Sequence, residues 1–255
     1  MHQRRDRLTI RRAFVAWWNR NIAGLGFAGT IKLLMQELWA FLVDATPSRR
    51  RQRYGDIEFD CDYRVNTTSA GVSLRTHLLG VLIGGPYQPS DPALLRETLA
   101  NLEIDYSEFI FIDLGSGKGR ALLLASEYPF QRIIGVELLP EFHRIALENV
   151  AKYRSANQKC FAIECYCADA ETYSFPLTPL VLYLFNPLPE MSLRRVIARL
   201  EESLREHPRP AYVLYLNPML EHVLAESSLQ RISSSLQCAV YCNRGRDSSG
   251  SAQGT

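Results

Sequence analysis

Short apolar runs alternate with segments of helical periodicity between residues 92 and 243, and this alternation admits few folds. A short apolar run that ends at glycine, proline or a polar residue is typical of a buried strand. Strands separated by helices pair in parallel through right-handed crossovers. The predicted strands are Phe109–Leu114, Arg132–Glu137, Cys160–Cys165, Leu180–Phe185 and Ala211–Leu216, with room for a final hairpin in Leu229–Tyr241. The predicted helices are Pro92–Leu102, Arg120–Tyr128, Glu141–Tyr153, Met191–Glu206 and Met219–Glu226. We therefore expect an α/β fold with a doubly wound, mostly parallel seven-stranded sheet.

The chain preceding this domain differs in charge from the rest. Residues 1–53 contain 11 Lys and Arg against 3 Asp and Glu, a net charge of +8, so the remainder of a chain of net charge +2 carries −6. A basic block on an acidic body suits an anionic partner, either a membrane or a nucleic acid, and it also suits a solvated charged face. We expect residues 1–53 to form a basic helical extension.

An apolar stripe at helical spacing runs through this extension, formed by Ile31, Leu34, Leu38 and Phe41. The stripe favours a helix packed on the following domain. The alternative is peripheral membrane contact through residues 1–53, because arginines and three tryptophans flank the stripe. Lys32 and Glu37 lie within the apolar stretch and argue against a helix that crosses a membrane.

Two other segments are predicted to lack regular structure. Residues 54–91 are rich in Gly, Thr and Ser and are predicted to be irregular. Residues 244–255 are predicted to be a disordered tail, on their content of Ser, Gly and Asp. The six cysteines form no C-x-x-C array, so we expect free thiols, no metal site and a cytoplasmic location. The pair Cys165 and Cys167 is expected on one face of a strand as buried thiols.

The first predicted strand of the α/β domain ends in Asp113-Leu114-Gly115-Ser116-Gly117-Lys118-Gly119. Glycines at this position allow a tight turn and close approach of the backbone to a ligand. A phosphate-binding loop of the form G-x-x-x-x-G-K-[ST] is excluded by the spacing. A dinucleotide fingerprint, G-x-G-x-x-G, would need the third glycine one residue later, and Asp113 would lie poorly beside a pyrophosphate. An acid there suits a cationic ligand such as one with an amino group and a sulfonium.

These residues resemble the first motif of class I S-adenosylmethionine-dependent methyltransferases, [DE]-x-G-x-G-x-G. Gly135-Val136-Glu137, Ala168-Asp169-Ala170 and Phe185-Asn186-Pro187 follow in the order of that family's later motifs, and the resemblance spans residues 87–241. It implies a Rossmann-like methyltransferase domain at residues 92–243 and S-adenosyl-L-methionine as cofactor. The implied roles are ribose binding by Glu137 beside Leu138, and adenine binding by Asp169. The implied cofactor cradle consists of Asp113, Gly115, Ser116, Gly117 and Gly119.

The acceptor side of the predicted site begins at Asn186. Its amide oxygen suits an acceptor N–H, which indicates methyl transfer to an amine nitrogen; the other interpretation is that Asn186 caps the following loop. The sequence departs from the family's N-P-P-[YF] motif, since it reads Asn186-Pro187-Leu188-Pro189 and lacks the aromatic residue. A nucleic-acid base is therefore not expected as the acceptor.

Gly85-Pro86-Tyr87-Gln88-Pro89-Ser90 is similar to a segment of non-SET protein-lysine methyltransferases that closes over the cofactor. This similarity makes Tyr87 a candidate catalytic residue and Ser90 a candidate cofactor contact, both near the methionine moiety. It also implies that residues 54–91 close over the site.

Three hypotheses for the function remain open at this stage. The first is an N-methyltransferase that acts on protein lysine or a small amine. The second is a small-molecule or lipid methyltransferase, which the basic apolar N-terminus would suit. The third, of a different class, is a non-catalytic nucleotide-binding or scaffold protein that has kept the fold.

Overall fold

The computed structural model describes residues 10–44, 54–68, 72–83, 87–185 and 188–243. The chain divides into two compact units, Met1–Pro89 and Ser90–Thr255. The predicted disordered tail, residues 244–255, lies outside the described residues.

The first unit contains helices α1 (Ile10–Asp44), α2 (Tyr54–Tyr63) and α3 (Leu74–Ile83). Gly26 interrupts α1 with φ 70° and ψ 178°, a conformation open mainly to glycine. The first half of α1 buries Ala13 and Trp17, and Arg20 donates to the carbonyl of Leu82 in α3 at 3.0 Å. No helix in the described part of the chain is both long and apolar enough to cross a membrane.

Of the predicted apolar stripe of α1, Leu38 and Phe41 lie outside the described side chains. Ile31 is exposed and Leu34 is half-buried. Other large apolar side chains of α1 are exposed as well: Phe14, Val15, Leu25, Phe27 and Met35. Helix α1 therefore presents apolar surface outward along with the face that it buries.

The prediction that residues 54–91 are irregular is wrong for most of the segment, which contains α2 and α3. Apolar side chains one helical turn apart explain the difference: Phe59 stacks near Tyr63, and Leu79 and Leu82 are buried. Between the helices, the Asp60 carboxylate accepts from the Thr67 and Thr68 amides at 2.7 and 2.9 Å and from the Thr67 hydroxyl.

The second unit is built on one sheet, with seven strands among the described residues in the order β3-β2-β1-β4-β5-β7-β6. The strands are β1 (Ile110–Leu114), β2 (Arg132–Glu137), β3 (Ile163–Cys167), β4 (Leu180–Phe185), β5 (Ala211–Leu216), β6 (Gln230–Ser234) and β7 (Cys238–Cys242). The first five strands pair in parallel, and β7 runs antiparallel between β5 and β6. This order confirms the predicted doubly wound, mostly parallel sheet and is the class I methyltransferase fold.

Helices cover both faces of this sheet. They are α4 (Pro92–Ala100), α5 (Arg120–Ala125), α6 (Pro140–Lys152), α7 (Glu190–Glu206) and α8 (Glu221–Ala225), with short 3-10 turns at Tyr106–Glu108 and Ala170–Thr172. Helices α5 and α6 contact β1 to β3 on one face. Apolar residues of α7 and α8 join alternate strand residues, such as Ile112 and Leu182, in the core of the other face.

Strand β3 begins later than predicted, at Ile163 rather than Cys160, because its ladder with β2 starts at the pair Ile133–Ile163. The prediction of buried thiols on this strand is wrong: Cys165 and Cys167 are half-buried, since β3 lies at the edge of the sheet and pairs, among the described strands, with β2 alone. Cys160, before the strand, is buried.

The register sets four residues side by side near the carboxyl ends of the strands. Asp113 of β1 is level with Gly135 of β2 and Tyr183 of β4, and Gly135 is level with Cys165 of β3. A Cβ atom on Gly135 would lie 2.6 Å from Leu122 Cδ1 and 2.9 Å from Ser116 Oγ. Glycine at this position therefore lets α5 and Ser116 pack directly on the sheet.

We expect Gly135→Ala to destabilise the second unit by about 1–3 kcal/mol, because overpacking forces Leu122 and Ser116 to move. Hydrogen exchange of the β1 and β2 amides measures this locally. Gly24→Ala in α1 is the matched control: a Cβ there meets nothing within 4 Å, and alanine in a helix gains about 0.5–1 kcal/mol over glycine. Unchanged protection in Gly135→Ala would contradict the packing described.

Candidate functional site

The turn after β1 is compact because its glycines adopt left-handed backbone conformations. Gly117 and Gly119 have φ of 52° and 85°, which side chains with a Cβ rarely tolerate. The Gly115 and Ser116 amides both donate to the Val136 carbonyl, at 2.8 and 3.1 Å. The turn, which we call the glycine loop (residues 115–119), is thereby fixed to the end of β2.

Helix α6 holds the other side of the glycine loop. A Cβ on Gly119 would lie 3.3 Å from the Cβ of Ala146, so glycine permits α5 to begin close to α6. The Asn149 side-chain amide donates to the Lys118 carbonyl at 2.8 Å. Sheet and helix together position the loop backbone before any ligand arrives.

Glu137, the last residue of β2, connects the two neighbouring strand ends. One carboxylate oxygen accepts from the Gly117 amide at 2.8 Å and the other from the Leu139 amide at 2.7 Å. The residue is 7% exposed, and burial raises the pKa of its carboxyl group, partly offset by hydrogen bonds from the Leu139, Gly117 and Leu138 amides. A carboxylate has about four acceptor sites and these amides use three of them, so Glu137 can still accept from a ligand.

Asp113 is the second buried acid of the site and is 3% exposed. Burial, followed by repulsion from Glu137, raises the pKa of Asp113 well above its ordinary value. Asp113 also affects Cys165, which lies on the far side of Gly135. Burial, followed by repulsion from Asp113, raises the pKa of the Cys165 thiol to about 11. Two buried acids at one sheet edge favour a cationic ligand and disfavour an anionic one.

Ser116 provides a polar atom that the protein itself leaves unpaired. Its Oγ is buried and has no hydrogen-bond partner among the described residues. This atom lies on the sheet side of the glycine loop, where a Cβ on Gly135 would be 2.9 Å from it. Burying a hydroxyl without a partner costs free energy, so a hydrogen bond from a ligand or water would stabilise it.

Ser90 is held by a residue that the sequence analysis did not select. The Tyr183 hydroxyl donates to Ser90 Oγ at 2.7 Å, and both residues are buried. Tyr183 stacks against Phe111 and is level with Asp113. The signal was a single hydroxyl-bearing residue in the otherwise apolar strand Leu180–Phe185, which contains no other polar side chain.

Asp169 follows β3 and is exposed, with one carboxylate oxygen accepting from the Glu171 amide at 2.9 Å. It therefore caps the turn Ala170–Thr172. The cap occupies one oxygen and leaves the other available among the contacts of the described residues, so adenine binding by Asp169 stays a prediction.

Neither predicted catalytic residue belongs to the described part of the second unit. Tyr87 belongs to the first unit, where its hydroxyl donates to the Thr67 carbonyl at 2.8 Å. Asn186 lies outside the described residues, as does Pro187. The roles of both residues, and the closing of residues 54–91 over the site, stay predictions.

Comparison with known proteins gives limited similarities. No family model matches the chain. The release factor glutamine methyltransferase of Vibrio cholerae is 34% identical over 85 residues, which is 32% of this chain and 30% of that protein. The chain thus spans under a third of this relative.

Solved structures with similar folds include two methyltransferases of low identity. An RNA methyltransferase from Salinibacter ruber in complex with S-adenosyl-L-homocysteine is 19% identical, with a TM-score of 0.41 over 61% of this chain and 92% of that one. A predicted N6-adenine-specific DNA methylase from Listeria monocytogenes is 13% identical, with a TM-score of 0.46 over 62% and 52% of the two chains. The fold assignment rests on the strand order of this chain.

We expect Asp113→Asn to stabilise the ligand-free protein at neutral pH. A carboxyl group whose pKa is raised on folding stabilises the fold below its unfolded pKa, and this contribution is lost as pH rises through the folded pKa. The stability of the wild type should therefore fall over that window, and the variant should show a flatter profile. Thermal unfolding as a function of pH measures both.

Asp105→Asn is the control of opposite sign, because hydrogen bonds from Ser107 lower the pKa of Asp105 at the surface. The Asp105→Asn substitution should remove a contribution to folding stability that the wild type has at neutral pH and loses as pH falls. Identical pH profiles for wild type and Asp113→Asn would mean that Asp113 is not the buried charge described.

Proposed function

We propose that this chain is an S-adenosylmethionine-dependent methyltransferase that transfers the methyl group to an amine nitrogen. The observation that supports the proposal most is the Glu137 carboxylate, which accepts from Gly117 of the glycine loop and Leu139 at the edge where open α/β sheets bind ligands. It stands beside the buried Asp113 in a sheet of the methyltransferase order.

The residues present fit the proposed cofactor. Glu137, beside Leu138, retains an acceptor site for the ribose hydroxyls. An ammonium group beside Asp113 would favour the charged form of its carboxyl group, whose pKa burial and Glu137 raise in the ligand-free protein. Ser116 Oγ is a buried polar atom without a partner among the described residues. Asp169 retains an oxygen for the adenine amino group. When bound, the cofactor would supply an electrophilic methyl group on a sulfonium.

A dinucleotide fits these residues poorly. Its pyrophosphate would lie at the glycine loop, where Asp113 is 3% and Glu137 is 7% exposed. Like charges at short range in a buried site repel strongly, so the same acids that favour a cationic cofactor disfavour a diphosphate.

The amine acceptor is supported by Asn186 after β4, whose amide oxygen can accept an acceptor N–H and orient the lone pair. The Vibrio relative acts by its name on glutamine in a release factor, a residue whose side chain ends in an amide nitrogen. The residues of this chain have to orient the acceptor nitrogen and exclude water, since the sulfonium sulfur is already a good leaving group. Protein lysine and small amines both satisfy this chemistry.

We expect Glu137→Ala to weaken S-adenosylmethionine binding by about tenfold to a hundredfold, because a hydrogen bond to a charged group contributes about 1.5–3 kcal/mol. Calorimetry with the cofactor measures the loss, and Glu103→Ala at the exposed end of the loop after α4 is the matched control. Equal affinity of Glu137→Ala and wild type would exclude this ribose position. Tighter binding of a nicotinamide dinucleotide would exclude the proposed family.

The acceptor class is tested with labelled methyl donor and cell lysate, separated into protein, lipid, nucleic-acid and small-molecule fractions. We expect label in protein or small amines, stable to acid hydrolysis as methyl-lysine or another methylamine derivative of the acceptor. Label in lipid would favour the small-molecule or lipid alternative. Cofactor binding without label in any fraction would favour the non-catalytic binding protein.

We also propose peripheral contact of residues 1–53 with anionic membrane. Their net charge of +8 and the exposed Phe27 and Met35 of α1 support it. Each Lys or Arg near an anionic surface contributes about 1 kcal/mol, decaying within a Debye length, and apolar side chains that enter the interface add to this.

We expect the full chain to float with anionic vesicles at low salt and much less with neutral vesicles. Replacing Phe27 and Met35 by Ser should reduce flotation, particularly at high salt, where only the apolar contribution remains. Leu177→Ser is the control, since Leu177 is also exposed but lies in the second unit. A full chain that fails to float with anionic vesicles at low salt would end the membrane proposal.

A further inference from the structure

Helix α1 is interrupted at Gly26, in the middle of an uncharged stretch of sequence. Residues 21–31 contain no Asp, Glu, Lys or Arg, whereas Arg20 and Lys32 stand directly at the two ends. Of the eleven residues in this stretch, six have apolar side chains and three are glycines. We call residues 21–31 the α1 tip.

The chain turns sharply within the α1 tip. In a straight helix, residues nine positions apart lie about 13.5 Å apart along the axis and on opposite faces. The rings of Trp18 and Phe27 nevertheless meet edge to face, with their centroids 5.8 Å apart. The turn occurs at Gly26, whose φ of 70° and ψ of 178° are open essentially to glycine alone. A Cβ on Gly26 would meet no atom of the described residues within 4 Å, so the backbone conformation, not crowding, requires glycine there.

The turn joins apolar side chains of both halves of α1 into one exposed surface. Phe14 stacks on Trp18 with ring centroids 5.8 Å apart, and Trp18 contacts Phe27, so the three rings form a continuous row. Phe14 is 37% exposed, Phe27 is 66% exposed, and Leu25 beside the turn is 56% exposed. A contiguous apolar surface that faces outward indicates contact with a partner or a membrane.

The two polar side chains of the α1 tip have their donors bonded within the helix. Asn21 Nδ2 donates to the Trp17 carbonyl, and Thr30 Oγ1 donates to the Gly26 carbonyl, both at 2.8 Å. Thr30 is also fully buried. These donors need no water, so the tip can leave water at a lower cost than a surface of unbonded polar groups could.

We propose that the α1 tip inserts into the boundary between headgroups and acyl chains of an anionic membrane, with Leu25 and Phe27 among the lipids. This inference deepens the proposed membrane contact of residues 1–53 and rests on it. Aromatic and aliphatic side chains suit that boundary, and the exposed Arg20 and Lys32 at the ends of the tip suit anionic headgroups. An interrupted helix suits the boundary better than the centre of the bilayer, where every backbone group must be bonded within the protein.

A second copy of this chain is the competing occupant of the exposed surface. Residues 1–53 carry a net charge of +8. Two copies that met through their α1 tips would bring these like charges together, whereas anionic lipid would neutralise them. The charge of the segment therefore favours lipid over a second copy.

The first test separates insertion from attraction between charges. Leu25→Asp removes an apolar side chain of the tip and adds one negative charge, and Gln36→Glu adds the same charge at an exposed position of α1 outside the tip. One charge at an anionic surface changes binding about fivefold, and loss of a buried Leu side chain changes it about tenfold or more. We expect affinity for vesicles of phosphatidylcholine and phosphatidylserine at low salt to fall about fivefold in Gln36→Glu and about fiftyfold or more in Leu25→Asp.

The second test concerns the turn. Alanine disfavours the Gly26 backbone about fivefold or more, so Gly26→Ala should separate Trp18 from Phe27 and weaken vesicle binding by at least about that factor. Gly24→Ala is the matched control, because a Cβ there also meets no described atom within 4 Å but Gly24 lies in helical backbone. It should bind vesicles as the wild type does. Circular dichroism checks that the variants keep their helices.

Three results would count against these proposals, each in a different way. If Leu25→Asp weakened binding no more than Gln36→Glu, insertion of the tip would be overturned while a contact driven by charge remained. If the wild type self-associated without vesicles and Leu25→Asp abolished this, the surface would belong to a second copy and the inference would also be overturned. A wild type that does not bind the vesicles at all would overturn the proposed membrane contact itself.

Discussion

The hydrogen bonds between the Glu137 carboxylate and the Gly117 and Leu139 amides are the interaction on which the site depends. They join the end of β2 to the turn after β1, so the positions of two strand ends and one loop are set by a single side chain. The left-handed glycines make the turn sterically allowed, and Gly135 leaves room for Ser116 and α5 beneath it. A ligand that displaced the Glu137 carboxylate would therefore release the glycine loop. A ligand that binds while Glu137 keeps these two hydrogen bonds meets a site that is already formed.

This arrangement is costly to the ligand-free protein. Asp113 and Glu137 are both buried, and burial raises the pKa of each carboxyl group. Ser116 Oγ is buried without a partner among the described residues. Proteins commonly accept lower stability at a binding site, because groups that must meet a ligand cannot also be fully satisfied by the fold. The unfavourable electrostatics and the unpaired hydroxyl occur at the same turn, which is consistent with a polar, cationic ligand there.

At the ends of β4 and β5, side chains of the strands also fix the segments that pack against them. Tyr183 and Tyr215 use their hydroxyls to hold Ser90 and the Leu220 amide, respectively. These tyrosines are buried within apolar strands, so their hydroxyl groups need local partners and thereby fix the chain that follows. The backbone of Asn217 is held in a left-handed conformation by the neighbouring loop, while its side chain stays exposed.

The sequence by itself determined the sheet and most of its strand bounds, because apolar runs that alternate with amphipathic helices have one economical arrangement. The resemblance to class I methyltransferases selected Glu137 and the glycine loop as candidate cofactor-binding residues. It did not determine α2 and α3, since their apolar spacing is short and mixed with turn-forming residues, nor the late start of β3, which the ladder with β2 decides. Only the tertiary structure decided that Asp113 is buried beside Glu137, that Tyr183 holds Ser90 and that Leu216 is level with Phe185 at the end of β4. These relations join residues far apart in the chain, and strand register and packing, rather than local pattern, bring them together.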